Sequence, residues 1–181
     1  MVQSATPDSD ITAGLWEPIG GESTLFAAVN GATDSDYIEA LNGENTTCEL
    51  GLTTVTDPAV STGHILRVRL QGTGSGGPER LQIALFEGAT QRAISPNLTS
   101  RGAWDTQTYT LTAGEADSIT AYSDLRIKLI SSNLAATEDM WARLAEFEVP
   151  DVAGADDEEW AATQGQGQQE PIREPNEIVS Y

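Results

Sequence analysis

His64 is the only histidine in the 181-residue chain, so any Ser-His-Asp arrangement has to be built on it, and Ser61 three residues earlier is the serine within reach. No Gly-x-Ser-x-Gly turn accompanies the pair, and His64 immediately precedes an alternating apolar run, so a hydrogen-bonded turn histidine is the expected role. A single histidine also argues against a zinc site. Cys48 is the only cysteine; it excludes an intrachain disulfide and a thiolate metal cluster, and is expected as a small buried hydrophobe. The acid pairs Asp8/Asp10 and Asp34/Asp36 could ligate Ca²⁺ from loops, but neither continues into an EF-hand spacing, and solvated turn acids are the expected reading. No two carboxylates are singled out as a glycosidase pair. No catalytic residue, cofactor or metal ligand is therefore assigned, and a non-enzyme is expected. Trp16, Trp104, Trp141 and Trp160 remain as groups that could stack on the C–H faces of sugars, with core or interface packing as the competing role.

The elements that would position these residues are strands. Leu66, Val68 and Leu70 alternate with Arg67 and Arg69; Leu81, Ile83 and Leu85 alternate with Gln82, Ala84 and Phe86. Such period-2 patterns give each strand one buried and one wet face. The same pattern recurs at Ile11/Ala13/Leu15, Cys48/Leu50/Leu52, Tyr109/Leu111 and Leu125/Ile127/Leu129. The Gly-rich residues 72–79 between two of these strands suggest a hairpin. Residues 138–149 fit either period, and the strand is favoured because they close on Phe-Glu-Val-Pro. Thr112 and Glu115 match a capping box, with Ala116, Ile119 and Tyr122 at helical spacing behind it. The expected fold is all-β: a two-sheet antiparallel, jelly-roll-like sandwich of eight or nine strands with one short helix and an extended C-terminal tail. The domain plan is an N-terminal arm over 1–9, the sandwich over 10–150 and an acidic tail over 151–181.

Charge narrows the partners. The chain has 28 acidic and 9 basic residues, a formal net charge of -19, which opposes attraction to a phosphate backbone. Nucleic acid is not an expected partner. No apolar run reaches the roughly 18 residues needed to span a membrane, and the acidic N-terminus lacks the basic and apolar regions of a signal peptide. The tail carries 8 acids against Arg173 alone, yet holds Trp160, Ile172, Ile178, Val179 and Tyr181. Those apolar groups suggest a segment that orders along a neighbouring subunit.

Residues 111–129, LTAGEADSITAYSDLRIKL, resemble a jelly-roll domain of tailed-bacteriophage virion structural proteins. Further parts of that pattern stand in order at 10–16 (DITAGLW), 36–38 (DYI), 48–50 (CEL), 61–64 (STGH), 66–69 (LRVR) and 146–150 (EFEVP). The resemblance implies a decoration or fibre-type component of head or tail. The expected function is a non-enzymatic capsid decoration protein, binding the major capsid protein or other virion subunits as a homo-oligomer on the particle. Its expected location is the virion, after synthesis in the host cytoplasm. The alternative is a carbohydrate-binding module on a head or tail fibre for host-surface attachment, with Trp104 as the stacking residue.

Overall fold

The structure, a computed structural model, describes residues 1–30, 33–40, 45–73, 80–132 and 138–152. Eleven strands and two short helices follow in order: β1 (Val2–Ala5), β2 (Pro7–Thr12), β3 (Trp16–Ile19), α1 (Leu25–Val29), β4 (Tyr37–Ala40), β5 (Thr46–Leu52), β6 (Ile65–Gly72), β7 (Arg80–Glu87), β8 (Thr90–Ile94), β9 (Asp105–Thr110), α2 (Ala113–Asp117), β10 (Leu125–Ser132) and β11 (Met140–Pro150). They form two antiparallel sheets. Sheet A runs β3-β4-β11-β6-β9, with β1 also alongside β11; sheet B runs β2-β5-β10-β7-β8. This is the jelly-roll-like sandwich expected from the alternation, with eleven strands among the described residues rather than eight or nine, because the short polar edge strands carry little apolar pattern.

The alternating apolar residues supply the interior. Leu50, Leu66, Val68, Leu70, Leu81, Ile83, Leu85, Ile127, Leu129 and Phe147 are fully buried between the sheets. Each large side chain so placed contributes about 1.5–3 kcal/mol. Cys48 lies among them, its thiol pushed up to about 12 by burial, which removes it as a nucleophile. Residues 140–150 are a strand, as favoured. Between Arg143 and Glu146 the ladder of β11 with β6 shifts at a bulge, where Leu144 takes a positive φ of 49°.

Several expectations are corrected. Residues 1–9 are not an arm: β1 pairs with the end of β11 in sheet A, and β2 pairs with β5 in sheet B. Their side chains are too polar for the pattern to register, because edge strands bury little. Ile11 and Leu15 are exposed, while Trp16 is buried. The parity changes at Gly14, whose φ is +60° and where a Cβ would come within 2.3 Å of the Thr47 carbonyl oxygen. β6 and β7 are interior strands but not a hairpin, since they belong to opposite sheets. Among the described residues there are two short helices rather than one. The capping box of α2 forms as expected. Helix α1 was not signalled because its cap comes from elsewhere: the Asp10 carboxylate on β2 accepts from the backbone N–H groups of Leu25 (2.9 Å) and Phe26 (2.8 Å).

Candidate functional site

The outward parity of sheet A gathers the groups most able to bind something. On β4, Ile38 and Ala40 face the core, which turns Tyr37 and Glu39 outward. On β11, Ala142 faces in and Trp141 faces out, with Arg143 on the same side as Trp141 but buried; on β6, Arg69 and Gln71 face out. The register sets Trp141 opposite Glu39 on one side and Gln71 on the other, and places Arg143 opposite Arg69, which is opposite Thr106 of β9. Trp104, just before β9, completes the group.

Three half-buried rings meet here. Tyr37 and Trp141 have centroids 4.8 Å apart, Tyr37 and Trp104 5.6 Å, and Trp104 and Trp141 6.2 Å, at interplanar angles of 31°, 64° and 39°. The rings therefore form a compact, faceted cluster rather than one flat strip. Edge-to-face and tilted contacts at these distances are favourable for rings with a negative face and positive edge. The indole of Trp141 is further held by donating from Nε1 to Glu39 Oε1 at 2.6 Å.

The polar rim is strongly organised. Arg143 and Arg69 are like charges directly opposite one another, an unfavourable pairing by itself. Asp34, from the loop before β4, resolves it. Its carboxylate accepts from Arg69 Nε and Nη2, both at 3.0 Å, and also from Arg143 Nη1. The Arg69 hydrogen bonds above all hold the Asp34 carboxyl below its ordinary value. The Arg69 guanidinium also lies 5.9 Å from the Trp104 ring centroid. Burial, with the negative charges of Asp139 and Glu17 nearby, pushes the Glu39 carboxyl up, partly offset by the Trp141 hydrogen bond. The Gln71 side-chain amide makes no hydrogen bond among the described residues, so its donors and acceptor are open beside the rings.

The other candidates go elsewhere. His64 is fully buried; its Nε2 lies 2.8 Å from the Tyr122 hydroxyl, and its ring stacks near Phe147, so its partner is a phenol and not a serine. Burial lowers its basicity. Ser61 lines a surface depression of about 280 Å³ with Asp57, Asp117, Ile119 and Tyr122. Asp10 caps α1, Asp8 accepts from Ser9, Asp34 bridges two arginines and Asp36 accepts from Thr33. No group of three or more potential metal ligands occurs among the described residues. Trp16 is a core residue, and Trp160, Ile172, Ile178, Val179 and Tyr181 lie outside the described residues.

Trp104 was the stacking candidate in the sequence; Tyr37, Gln71, Arg69 and Asp34 were missed as its companions. A usable signal existed. Tyr37 shares strand parity with Glu39, and Trp141 shares it with Arg143, so each aromatic ring stands where the strand otherwise carries charge.

No protein-family model matches the chain, and no curated protein matches it in sequence. Solved structures that align with it include a family 35 carbohydrate-binding module from Clostridium thermocellum (13% identity, 84% of this chain and 99% of that one, TM-score 0.46). Others are the family 29 module CBM29_1 from Piromyces equi (10%, 87% and 93%, 0.45) and TmCBM61 in complex with β-1,4-galactotriose (9%, 83% and 88%, 0.43). At such identities and scores these likenesses carry nothing about what this chain binds. The site has to be read from its own residues.

Proposed function

We propose that the protein is a non-catalytic carbohydrate-binding module whose binding surface is the outer face of sheet A around Tyr37, Trp104 and Trp141. The observation that carries this reading is the three-ring cluster on the solvent side of the sheet, at positions where parity calls for polar residues. Apolar ring surface left toward water at one locus favours an occupant that covers it. A sugar ring offers C–H faces for the aromatic surface and hydroxyls for a polar rim, here Gln71, Glu39 and Thr106. The neighbouring ionisable groups have structural duties: Asp34 binds two arginines and Glu39 holds an indole.

Affinity electrophoresis of the full chain against soluble galactan, galactomannan, β-glucan and xylan tests the reading. Retardation by at least one polymer, weakened about ten-fold or more by Trp104→Ala or Trp141→Ala, is expected; ten-fold corresponds to about 1.4 kcal/mol. No retardation by any of them, or unchanged retardation in both variants, overturns it.

A second reading, a decoration subunit on the surface of a tailed-phage particle, is supported by the sequence resemblance over residues 10–150. Its partners would be the major capsid protein or other virion subunits. Its test is the presence and stoichiometry of the chain in purified particles.

A further inference from the structure

We infer that Asp34 makes the aromatic face selective for uncharged sugar chains, by occupying Arg69, the exposed arginine that would otherwise recruit chains bearing carboxylate or sulfate groups. The inference rests on the glycan-binding reading and names its ligand class.

Arg69 stands opposite the buried Arg143 across adjacent strands, and its own guanidinium, partly exposed, lies at the margin of the rings beside Trp104. Arginine forks of this kind are well suited to planar, bidentate recognition of carboxylates, and an aromatic cluster beside them would make a site for uronic acid residues. In this protein the fork is already filled. Asp34 takes the Nε and Nη2 edge of Arg69, the edge a uronate carboxylate would use, and it also engages Arg143. It is part of the chain and therefore present at high effective concentration. An acidic chain would have to displace it and then lie beside a second carboxylate, since Asp34 is fixed by its own strand connection to β4. Glu39 adds another carboxylate beside Trp141, accepting its indole N–H, and Glu17 stands opposite Glu39 on β3. Over the whole chain the formal charge is -19, which repels polyanions at long range. An uncharged chain meets none of these costs and loses nothing by leaving the arginines paired.

The test compares matched neutral and acidic polymers on the full chain by affinity electrophoresis: galactan and xylan against polygalacturonate, alginate and chondroitin sulfate at fixed low salt. The wild-type protein is expected to be retarded by a neutral polymer and by none of the acidic ones. Asp34→Asn is expected to gain at least ten-fold in binding to polygalacturonate or alginate, and added salt should abolish the gain. Arg69→Gln in the Asp34→Asn background should reverse it. Wild-type binding to acidic chains as strong as to neutral ones overturns the inference while leaving glycan binding intact, and this comparison needs no substitution. A folded Asp34→Asn protein with unchanged selectivity also overturns it. Failure to bind any polymer, neutral or acidic, overturns the glycan reading itself and the inference with it.

Discussion

The two outer faces of the sandwich are built from the same strand alternation but dispose of their side chains differently. On sheet B, Glu49 receives both Arg126 and Lys128 at 3.2 Å, Arg126 also reaches Asp124 at 3.4 Å, and the Lys128 ammonium sits 4.0 Å from the centroid of the Phe86 ring. One aromatic ring is thus covered by a cation of the chain itself. On sheet A, Arg67 is likewise matched to Glu146 and Glu148, but farther along the same face three half-buried rings collect against one another, with Arg69 beside Trp104. The difference teaches that an outer face of this sandwich can be completed by ion pairs with a single ring under a cation of the chain. Tyr37, Trp104 and Trp141 depart from that pattern by gathering three rings at one place.

Substitutions that separate the shared interior from the two exteriors sharpen this contrast. The largest effect is expected from Phe147→Ala, which empties a fully buried site on β11 and should lower unfolding free energy by about 3–5 kcal/mol, weakening both faces together in urea titrations. Next comes pH. His64 is buried with its basicity lowered, so its contribution is intact above its ordinary value of 6.5 and declines as pH falls from there toward the folded-state value, where the unfolded chain binds the extra proton. Stability should fall over that interval, and His64→Gln should flatten the dependence. A second decline is expected in more acid solution from Glu87. Burial opposes its charge, but hydrogen bonds from Thr120 and Arg92 prevail and hold its carboxyl down at about 2, so that stability is lost as pH falls from 4.5 toward that value. The smallest effects belong to sheet B: Glu49→Gln should cost less than about 1 kcal/mol, and Phe86→Ala should leave polysaccharide retardation unchanged. If Phe86→Ala weakened retardation as much as Trp141→Ala, the distinction between the faces would fail.

Much of the sandwich was legible because β6 and β10 keep a clean two-residue alternation, and β5 and β7 keep it over their first halves, which directly reports one buried face. The start of α2 was legible for a different reason, since Thr112 and Glu115 cap it reciprocally within four residues. Sheet membership was not legible: β6 and β7 open with the same periodicity, and nothing local says that they face each other across the core. The N-terminal strands were hidden because β1 and β2 lie in the chain's most polar stretch and because Gly14 resets the parity before Trp16. The ring cluster was only partly legible. Trp104 could be nominated by residue type, but its meeting with Tyr37 and Trp141 depends on strand register over more than a hundred residues. Asp34 could not be distinguished from other turn acids until Arg69 and Arg143 were seen to share a row.

Among the described residues the first strand lies against the last: Val2 pairs with Pro150 and Ala5 with Phe147, and immediately after Thr6 the chain passes into the opposite sheet. During synthesis the pairing of β1 must therefore wait until β11 has left the ribosome, well after β2 can meet β5. The fold behaves like a box whose first-made edge is also its latch, and its closure is a late event of high contact order.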